Sequence, residues 1–403
     1  MKKILIFVPS LKRAKFFYRL YENVFNKNSM YKVVFLTTKK LAFNFLKNNN
    51  IEVYDINKFY NKSYKIDNFF IVNQEKALLM DLKINLQSRK QLLKNYYFLI
   101  TCLVNFIKKN KYDYMFIFNG NAHYIEYSAK LVSEFFKLKT IFFEIGNFPN
   151  KIFIDTLGVN ATSSLMYKDL RNFECNIEKF KLFAKDYLIN KEKNHFVPQG
   201  IQKINFYDKF INHDRYEPNI IIRIKNLFKI LIKKIKYRRF TYDNNISIES
   251  SYIFFPLQVS YDSQLLRNSN VTLKEAIDYA VSLSKKKNKQ LIIKPHPAEL
   301  NFDLLNYAKK NNALITNKNT YTLIKNADII ITINSTVGLE TFFYNKKLIV
   351  LGDAWYKKYI NCSYRIKLKV LCNYFNNILV EGDYFNKNIV INSDKIIKKL
   401  NAL

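Results

Sequence analysis

The chain has 403 residues, of which 49% are hydrophobic, and a formal charge of +34. This length exceeds one core of usual size and predicts two domains, while the lack of an apolar run of about 18 uncharged residues predicts that no helix spans a membrane. The charge favours an acidic partner, but no helix-turn-helix, ribonucleoprotein or zinc pattern is present, so nucleic acid is not expected. The four cysteines have neither metal-site nor disulfide-scaffold spacing, which indicates a reducing, cytoplasmic setting.

Short apolar runs alternate with helical patterns in the first part of the chain. Strands are predicted at 4–8, 32–37, 51–54, 114–118 and 140–144, and helices at about 74–111 and 123–137. This alternation is typical of βαβ units that form a parallel sheet. Residues 1–190 are therefore predicted to form an N-terminal Rossmann-like domain.

Residues 191–250 are predicted to be a basic linker that contains a helix. Within it, "IIIRIKNLFKILIKKIKYRRF" (220–240) repeats apolar residues at helical spacing and fills many other positions with Lys or Arg. One interpretation is a helix that lies in an anionic membrane interface. The other is an ordinary inter-domain helix with a solvated basic face.

A second series of strands and helices follows this linker. Strands are predicted at 251–257, 290–294, 328–333 and 347–352, and helices at about 272–287, 302–312 and just after Thr336. Residues 251–375 are therefore predicted to form a C-terminal Rossmann-like domain, with 376–403 as a C-terminal tail. The predicted fold class is α/β, with two Rossmann-like domains facing a cleft.

Ligands in open parallel sheets bind beyond the carboxyl ends of the strands, so polar residues at strand ends form the candidate site. In the first series, "FFEIGN" places Glu144, Gly146 and Asn147 at such an end. A partly desolvated Glu144 could act as a general acid or base. Alternatively, it is a loop carboxylate that caps a turn or faces water.

Two further strand ends carry candidate residues in the second series. "LQVSYDSQ" presents Gln258 and Asp262 four residues apart, and Asp262 is either a nucleophile, base or acceptor of substrate hydroxyl groups, or the N-cap of the next helix. "LIIKPHP" places Lys294 and His296 in a loop stiffened by prolines. His296 could hold a phosphate or donate a proton while Lys294 supplies positive charge, or it is a structural histidine.

The stretch "ITINSTVGLE" (331–340) puts small polar residues straight after a buried strand. Ser335 or Thr336 is predicted to cap a helix whose N-terminal amides could bind a phosphate, with Gly338 letting the ligand approach. Glu340 could complete a capping box or accept ribose hydroxyl groups. Helix capping without a ligand is the simpler alternative. The candidate binding residues here are Asn334, Ser335, Thr336, Gly338 and Glu340.

Together these strand-end motifs favour a glycosyltransferase of the two-Rossmann type, known as GT-B. A sugar nucleotide is then expected to bind mainly to the C-terminal domain, and the N-terminal domain is expected to face the acceptor. No His or Asp cluster has metal-ligand spacing, so neither a metal ion nor another cofactor is expected.

The motifs also resemble those of one known family. The resemblance rests on "FEIGN" and "DTLGVNATSSL" within 143–165, "LQVSYDSQL" at 257–265, "IKPHP" at 293–297 and "TINSTVGLETFFYNKKLIVLGDAWY" at 332–356. In this order they are similar to bacterial capsule polysaccharide biosynthesis proteins of the KpsS/LipB type. The resemblance implies transfer of 3-deoxy-manno-oct-2-ulosonic acid (Kdo) from CMP-Kdo to a phosphatidylglycerol-type lipid, an anionic glycerophospholipid, with retention of configuration. It also implies a cytoplasmic, peripheral protein on the inner face of the cytoplasmic membrane, with other capsule assembly proteins as further partners.

The resemblance also implies roles for individual residues. Glu144 and Asp262 match acidic residues of this family, and His296, Ser335 and Thr336 match its nucleotide-side motifs. On this basis we hypothesise that Asp262 is the nucleophile or stabiliser at the anomeric carbon and that Glu144 handles the acceptor proton. His296 with Lys294, and the helix N-terminus at Ser335, are then expected to hold the CMP phosphate. Two alternatives stay open, namely a transferase that uses another sugar nucleotide for surface polysaccharide, and a non-catalytic membrane-surface component of capsule assembly or export.

Overall fold

The computed structural model describes most of the chain and divides it into two compact units. The described residues are 1–26, 28–193, 215, 216, 222, 224, 225, 228, 231, 232, 235, 240–243, 251–297 and 301–401. Unit 1 comprises Met1–Ser164, Ile204–Lys225 and Asn377–Leu403, and unit 2 comprises Leu165–Lys203 and Asn226–Asn376.

Strands and helices alternate along both units, as the sequence predicts. The strands are β1 Lys2–Val8, β2 Tyr31–Thr37, β3 Val53–Asp55, β4 Tyr114–Phe118, β5 Lys139–Ile145, β6 Lys151–Asp155, β7 Tyr252–Pro256, β8 Gln290–Lys294, β9 Ala313–Ile315, β10 Ile329–Thr332, β11 Lys347–Val350 and β12 Val380–Glu381. The helices are α1 Leu11–Leu20, α2 Lys40–Asn48, α3 Asn68–Val72, α4 Gln74–Ile84, α5 Arg89–Lys109, α6 Tyr124–Phe135, α7 Ile177–Lys193, α8 Ser263–Arg267, α9 Leu273–Lys287, α10 Phe302–Lys310, α11 Thr320–Asn326, α12 Val337–Glu340, α13 Tyr364–Asn373 and α14 Ser393–Asn401.

The described sheet of unit 1 has the order β12-β6-β5-β4-β1-β2-β3. Strands β1 to β5 are parallel, and all five confirm predicted strands. Strands β6 and β12 were not predicted; β6 pairs antiparallel with β5, and β12 pairs antiparallel with β6. The predicted helix at 74–111 is two helices, because Asn85 adopts a left-handed conformation (φ 54°) that ends α4 and Ser88 caps α5 by accepting from the Gln91 amide.

The C-terminal residues belong to the core of unit 1, which differs from the predicted tail. Strand β12 pairs with β6, and Ile396 and Leu400 of α14 are almost fully buried among the aromatic residues of the first sheet. Each such side chain stabilises the fold by about 1.5–3 kcal/mol. Arg19 of α1 fixes the connection by donating to the backbone carbonyls of Asp383 and Tyr384.

The described sheet of unit 2 is parallel throughout, in the order β11-β10-β7-β8-β9. Four of these strands confirm predictions; the three-residue β9 was not predicted. Unit 2 also contains α7, although the sequence boundary at residue 190 assigned most of this helix to the first domain. The aromatic rings of Phe180 and Tyr187 on α7 pack against Phe343 of unit 2, which explains the assignment.

The predicted basic helix at 220–240 lies largely outside the described residues. Its described positions from 222 to 235 are helical, and their apolar side chains are 36 to 62% exposed. They are Ile222, Ile224, Phe228, Leu231, Ile232 and Ile235. Over the part of the chain that the structure describes, no helix is both long and apolar enough to cross a membrane.

Candidate functional site

Three of the predicted strand ends in unit 2 are neighbours, because β10, β7 and β8 are adjacent in the parallel sheet. Their carboxyl ends therefore lie at the same edge. Gln258 after β7 and Asn334 after β10 are both buried and pair with each other. The Gln258 amide nitrogen donates to Asn334 Oδ1 at 2.9 Å, and the Asn334 backbone amide donates to Gln258 Oε1 at 3.1 Å.

Asn334 uses its remaining donor inside the protein as well. Its Nδ2 lies 2.8 Å from the carbonyl oxygen of Gln264 and 3.0 Å from that of Asn268. A buried amide with all its groups paired contributes to the shape of the site rather than to ligand contact. The structure therefore gives Gln258 and Asn334 a positioning role, which differs from the nucleotide contact predicted from the sequence.

Asp262 lies at the N-terminus of α8, which follows β7. Its Oδ1 accepts from the Gln264 backbone amide at 2.9 Å, so the N-cap interpretation is confirmed. Burial raises the pKa of the Asp262 carboxyl, while the Gln264 amide, His296 and the Gln258 side chain act in the opposite direction. His296 and Gln258 thus both act on the Asp262 carboxyl and favour its ionised form.

Lys294 and His296 are separated only by the buried Pro295 at the end of β8. The Lys294 ammonium donates to the Lys318 carbonyl oxygen at 2.7 Å. Burial lowers the pKa of Lys294 to about 8, because a desolvated ammonium is disfavoured. Lys294 therefore changes charge close to neutral pH.

Hydroxyl groups at the end of β10 and in the loop that follows accept hydrogen bonds from backbone amides of the same loop. The Ser335 amide donates to Thr332 Oγ1 at 3.2 Å, and the Val337 amide donates to Ser335 Oγ at 3.3 Å. Thr336 occupies the N-cap position of α12, but among the described contacts its exposed side chain makes no capping hydrogen bond. Since α12 has only four residues, the predicted phosphate site on a helix dipole is not supported.

Gly338 is small because Tyr356 packs against it. A Cβ atom at this position would lie 2.4 Å from the Tyr356 hydroxyl oxygen and 2.8 Å from two of its ring carbons. The same hydroxyl donates to the Ser335 carbonyl oxygen. The space at Gly338 is therefore filled by protein, which corrects the predicted close approach of a ligand.

Glu340 is held by tyrosine hydroxyl groups and not by a capping box. Its Oε1 accepts from the Tyr321 hydroxyl at 2.8 Å, and Tyr187 is a further group that favours the ionised carboxyl. Burial raises the pKa of Glu340, which the neighbouring charge of Lys191 and the two tyrosines partly offset. These contacts leave the predicted ribose contact without support in the structure.

Unit 1 carries Glu144 within β5, opposite Phe153 of β6. The Glu144 carboxylate accepts from the Asn119 side-chain amide and, at 2.9 Å, from the Ile145 backbone amide. At Gly146, a Cβ atom would lie 2.5 Å from the Lys151 carbonyl oxygen. Glycine is therefore explained by the close packing of the turn between β5 and β6. Asn147 continues that turn as a half-buried residue.

The motif "DTLGVNATSS" is organised by a buried carboxylate that the sequence analysis did not single out. Asp155 accepts from the backbone amides of Leu157, Gly158 and Ser164 at 2.9–3.3 Å, and from the Ser164 hydroxyl. Such a multiply bonded carboxylate fixes the loop. The motif therefore stabilises the segment that follows β6.

His123 is a further strand-end residue that the sequence analysis missed. It follows β4, and its Nδ1 lies 3.0 Å from Asp81 Oδ1, while the Tyr124 amide donates to Asp81 Oδ2 at 2.8 Å. A carboxylate that orients an imidazole is a common arrangement for proton transfer. The available signal was that one of only four histidines lies at the start of the predicted helix that follows β4.

The described residues contain no group of three or more His, Cys, Asp or Glu side chains that could hold a metal ion. Independence of metals and other cofactors stays a prediction. What the fold and the strand ends define is an α/β protein with two Rossmann-like units, whose polar residues gather at the carboxyl edges of mainly parallel sheets.

The family follows from the sequence match. Residues 117–359, more than half of the chain, match the family described as capsule polysaccharide biosynthesis protein, and the chain belongs to this family. Protein FixF of Sinorhizobium fredii is 24% identical over 270 residues, which cover 63% of this chain and 53% of FixF. Capsule polysaccharide export protein KpsS of Escherichia coli is 28% identical over 146 residues, which cover 33% of this chain and 36% of KpsS. The chain thus spans about half the length of these curated relatives, or less.

Solved structures show more distant likeness. The beta Kdo 2,7 transferase of Thermosulfurimonas dismutans KpsC is 12% identical, with a TM-score of 0.42 over 100% of this chain and 99% of that one. The UDP-GlcNAc 2-epimerase of Neisseria meningitidis is 14% identical, with a TM-score of 0.30 over 100% of both chains.

Proposed function

We propose that this protein is a glycosyltransferase of capsule polysaccharide biosynthesis that transfers Kdo from CMP-Kdo to a phosphatidylglycerol-type lipid with retention of configuration. The observation that carries the proposal is that Asp262 and His296 follow adjacent strands of unit 2 and that His296 favours the ionised Asp262 carboxyl, in a chain of the capsule biosynthesis family. The pair combines a carboxylate with a neighbouring group that can carry positive charge. This is the combination that a reaction with a sugar and a phosphate leaving group requires.

In the proposed reaction, Asp262 attacks the anomeric carbon of Kdo. The bond from that carbon to the CMP phosphate oxygen breaks, and CMP leaves with the bonding electrons. An acceptor hydroxyl then attacks the glycosyl ester from the other face, its proton passes to Glu144, and the Asp262 carboxylate is released. Two inversions at one carbon give net retention.

The neighbouring groups favour this course. His296 favours the ionised carboxylate that a nucleophile needs, which opposes the effect of burial on Asp262. Lys294 and His296 offset the charge of the CMP phosphate as it leaves. The exposed hydroxyl of Thr336 is a further donor to that phosphate.

We also propose that the protein works at the inner face of the cytoplasmic membrane, where its lipid acceptor lies. Supporting this are the formal charge of +34 and the exposed apolar residues of the 220–240 segment. Ile224, Phe228, Leu231 and Ile235 recur at the spacing of one helical face, with lysine and arginine between them.

A donor panel tests the proposal. The full chain, incubated with phosphatidylglycerol vesicles, is expected to release CMP from CMP-Kdo and to form a Kdo-lipid, detected by mass spectrometry. Turnover of a UDP- or GDP-sugar but not CMP-Kdo would overturn the donor assignment. Capsule production that is unchanged by both Asp262→Asn and Glu144→Gln would instead identify a non-catalytic component of assembly.

A further inference from the structure

Unit 1 contains a cavity of about 480 Å³ that none of the candidate residues above lines. It lies between the loop after β3 and helix α5. Its volume suits a small ligand. The lining residues are Tyr60, Asn61, Lys62, Tyr64, Ile66, Lys94, Tyr97, Phe98, Thr101 and Arg215.

The charged residues that line this cavity are all positive. Lys62, Lys94 and Arg215 line it, and its lining contains no carboxylate. Among the described residues, none of these three cations forms an ion pair, although acidic partners are recorded for lysines elsewhere in unit 1, such as Lys32 with Glu52. Like charges that share one cavity repel, so an anion that entered it would relieve this repulsion.

Aromatic rings form the other part of the lining. The Tyr60 and Phe98 rings stack with centroids 4.5 Å apart and planes 18° from parallel. The Arg215 guanidinium lies 3.7 Å from the Phe98 ring centroid. This is the geometry of a cation–π contact, which orients the guanidinium over the ring.

Arg215 is held in place by its neighbour. Tyr216 is buried, its hydroxyl donates to Asn57 Oδ1 at 2.8 Å, and its carbonyl accepts from the Gln87 side-chain amide at 3.0 Å. A cation whose neighbouring residue is anchored in this way loses less conformational freedom when it binds a ligand. The cavity is therefore preorganised on its Arg215 side.

We propose that this cavity binds a phosphate-bearing ligand. Lys62, Lys94 and Arg215 hold the phosphate through charge-assisted hydrogen bonds, and the uncharged part of the ligand packs on the Tyr60 and Phe98 rings. The site goes beyond the proposed transfer reaction, and its test does not involve sugar transfer. Two sources present this chemistry, namely the phosphate headgroup of a lipid and a soluble phosphate ester.

The test compares two double variants of the full chain that have the same net charge. Lys62→Gln with Lys94→Gln removes two cations from the cavity, whereas Lys83→Gln with Lys90→Gln removes two exposed lysines outside it. The probes are phosphatidylcholine vesicles with and without phosphatidylglycerol, measured by sedimentation, and soluble glycerol 3-phosphate, measured by calorimetry. Thermal unfolding followed by circular dichroism verifies that both variants are folded.

The cavity variant is expected to bind a probe about tenfold or more weakly than the control variant, because charged hydrogen bonds are lost. Weakening with phosphatidylglycerol vesicles alone identifies a lipid headgroup as the source, and weakening with glycerol 3-phosphate identifies a soluble ester. Equal binding by the two variants overturns the proposal. The proposal is also overturned if the unmodified chain binds neither probe measurably. If the unmodified chain binds a probe but does not transfer Kdo, only the proposed function is refuted.

Discussion

Replacement of Asp262 separates its structural role from its proposed chemical role. The carboxylate caps α8 through the Gln264 amide at 2.9 Å. Asn caps helices as well as Asp does, whereas Ala loses the cap at a cost of about 1 kcal/mol in the free energy of unfolding. We therefore expect Asp262→Asn to keep the cap and Asp262→Ala to lose it, while both lose the nucleophile.

The pH dependence of stability follows from the sign of the pKa shift. Burial raises the pKa of Asp262 in the folded state, so the folded protein binds this proton more tightly than the unfolded chain does. The associated stabilisation is present below the ordinary value of 3.8 and is lost as the pH rises through the raised pKa. At pH 7, Asp262→Asn should consequently be at least as stable as the natural protein, and the difference should narrow as the pH falls.

Urea unfolding and donor turnover, measured on the same preparations, check both parts. Asn301→Ala is the matched control, because Asn301 caps α10 of the same unit by accepting from the Leu304 amide at 3.2 Å. It should cost about 1 kcal/mol like Asp262→Ala, yet leave turnover unchanged. An Asp262→Asn protein that turns over CMP-Kdo at the natural rate would refute the nucleophile assignment. One that loses as much stability as Asp262→Ala would refute the capping argument.

Three further changes test separate parts of the molecule. Gly338→Ala should destabilise unit 2 by about 1–3 kcal/mol in urea unfolding, because the new methyl group overlaps Tyr356, and an unchanged midpoint would contradict this packing. His123, oriented by Asp81, is a second candidate besides Glu144 for transfer of the acceptor proton, so His123→Gln should lower transfer to the acceptor about a hundredfold while CMP binding stays unchanged. Equal transfer rates in the His123→Gln variant and the natural protein would show that His123 takes no part in proton transfer. Binding of CMP, measured by calorimetry, should weaken as the pH rises through about 8, where Lys294 loses its charge, and Lys294→Met should abolish that dependence. The same pH profile in this variant would assign the effect to another group.

The alternation of strands and helices was readable from the sequence because buried parallel strands are continuous apolar runs. Strands such as β1 and β10 consist largely of fully buried aliphatic and aromatic residues. Two of the missed strands, β9 and β12, lack this signal. Strand β9 has three residues and β12 has two, and β12 is fixed by pairing with a strand more than 200 positions earlier in the chain. Such pairing depends on tertiary structure and leaves no local periodicity.

Domain membership was equally hard to predict from local patterns. Helix α14 has an amphipathic pattern that predicts some partner, but nothing in the pattern tells which sheet it covers. The structure answers this through Ile396 and Leu400, which are buried in the core of unit 1. Likewise, α7 joins unit 2 because its aromatic side chains meet Phe343, a contact across more than 150 positions.

At the candidate site, the sequence identified positions better than roles. Polar residues at three adjacent strand ends were expected to meet a ligand, yet Gln258 and Asn334 bind each other, and the space at Gly338 is taken by Tyr356. The reason is that a buried loop must satisfy its own polar groups before any ligand arrives. Small and amide-bearing residues serve that purpose as well as they serve a phosphate, so residue type alone could not separate the two.

The best candidates for catalytic residues are ionisable groups whose burial costs desolvation free energy. Burial raises the pKa of the Asp262 carboxyl, and Lys294 is a partly buried ammonium beside a backbone carbonyl. A fold selected only for stability has little reason to keep either group, because an uncharged residue of similar shape would avoid the desolvation. Their position at the ends of β7 and β8, next to His296, is therefore the strongest physical reason to look for the reaction in unit 2.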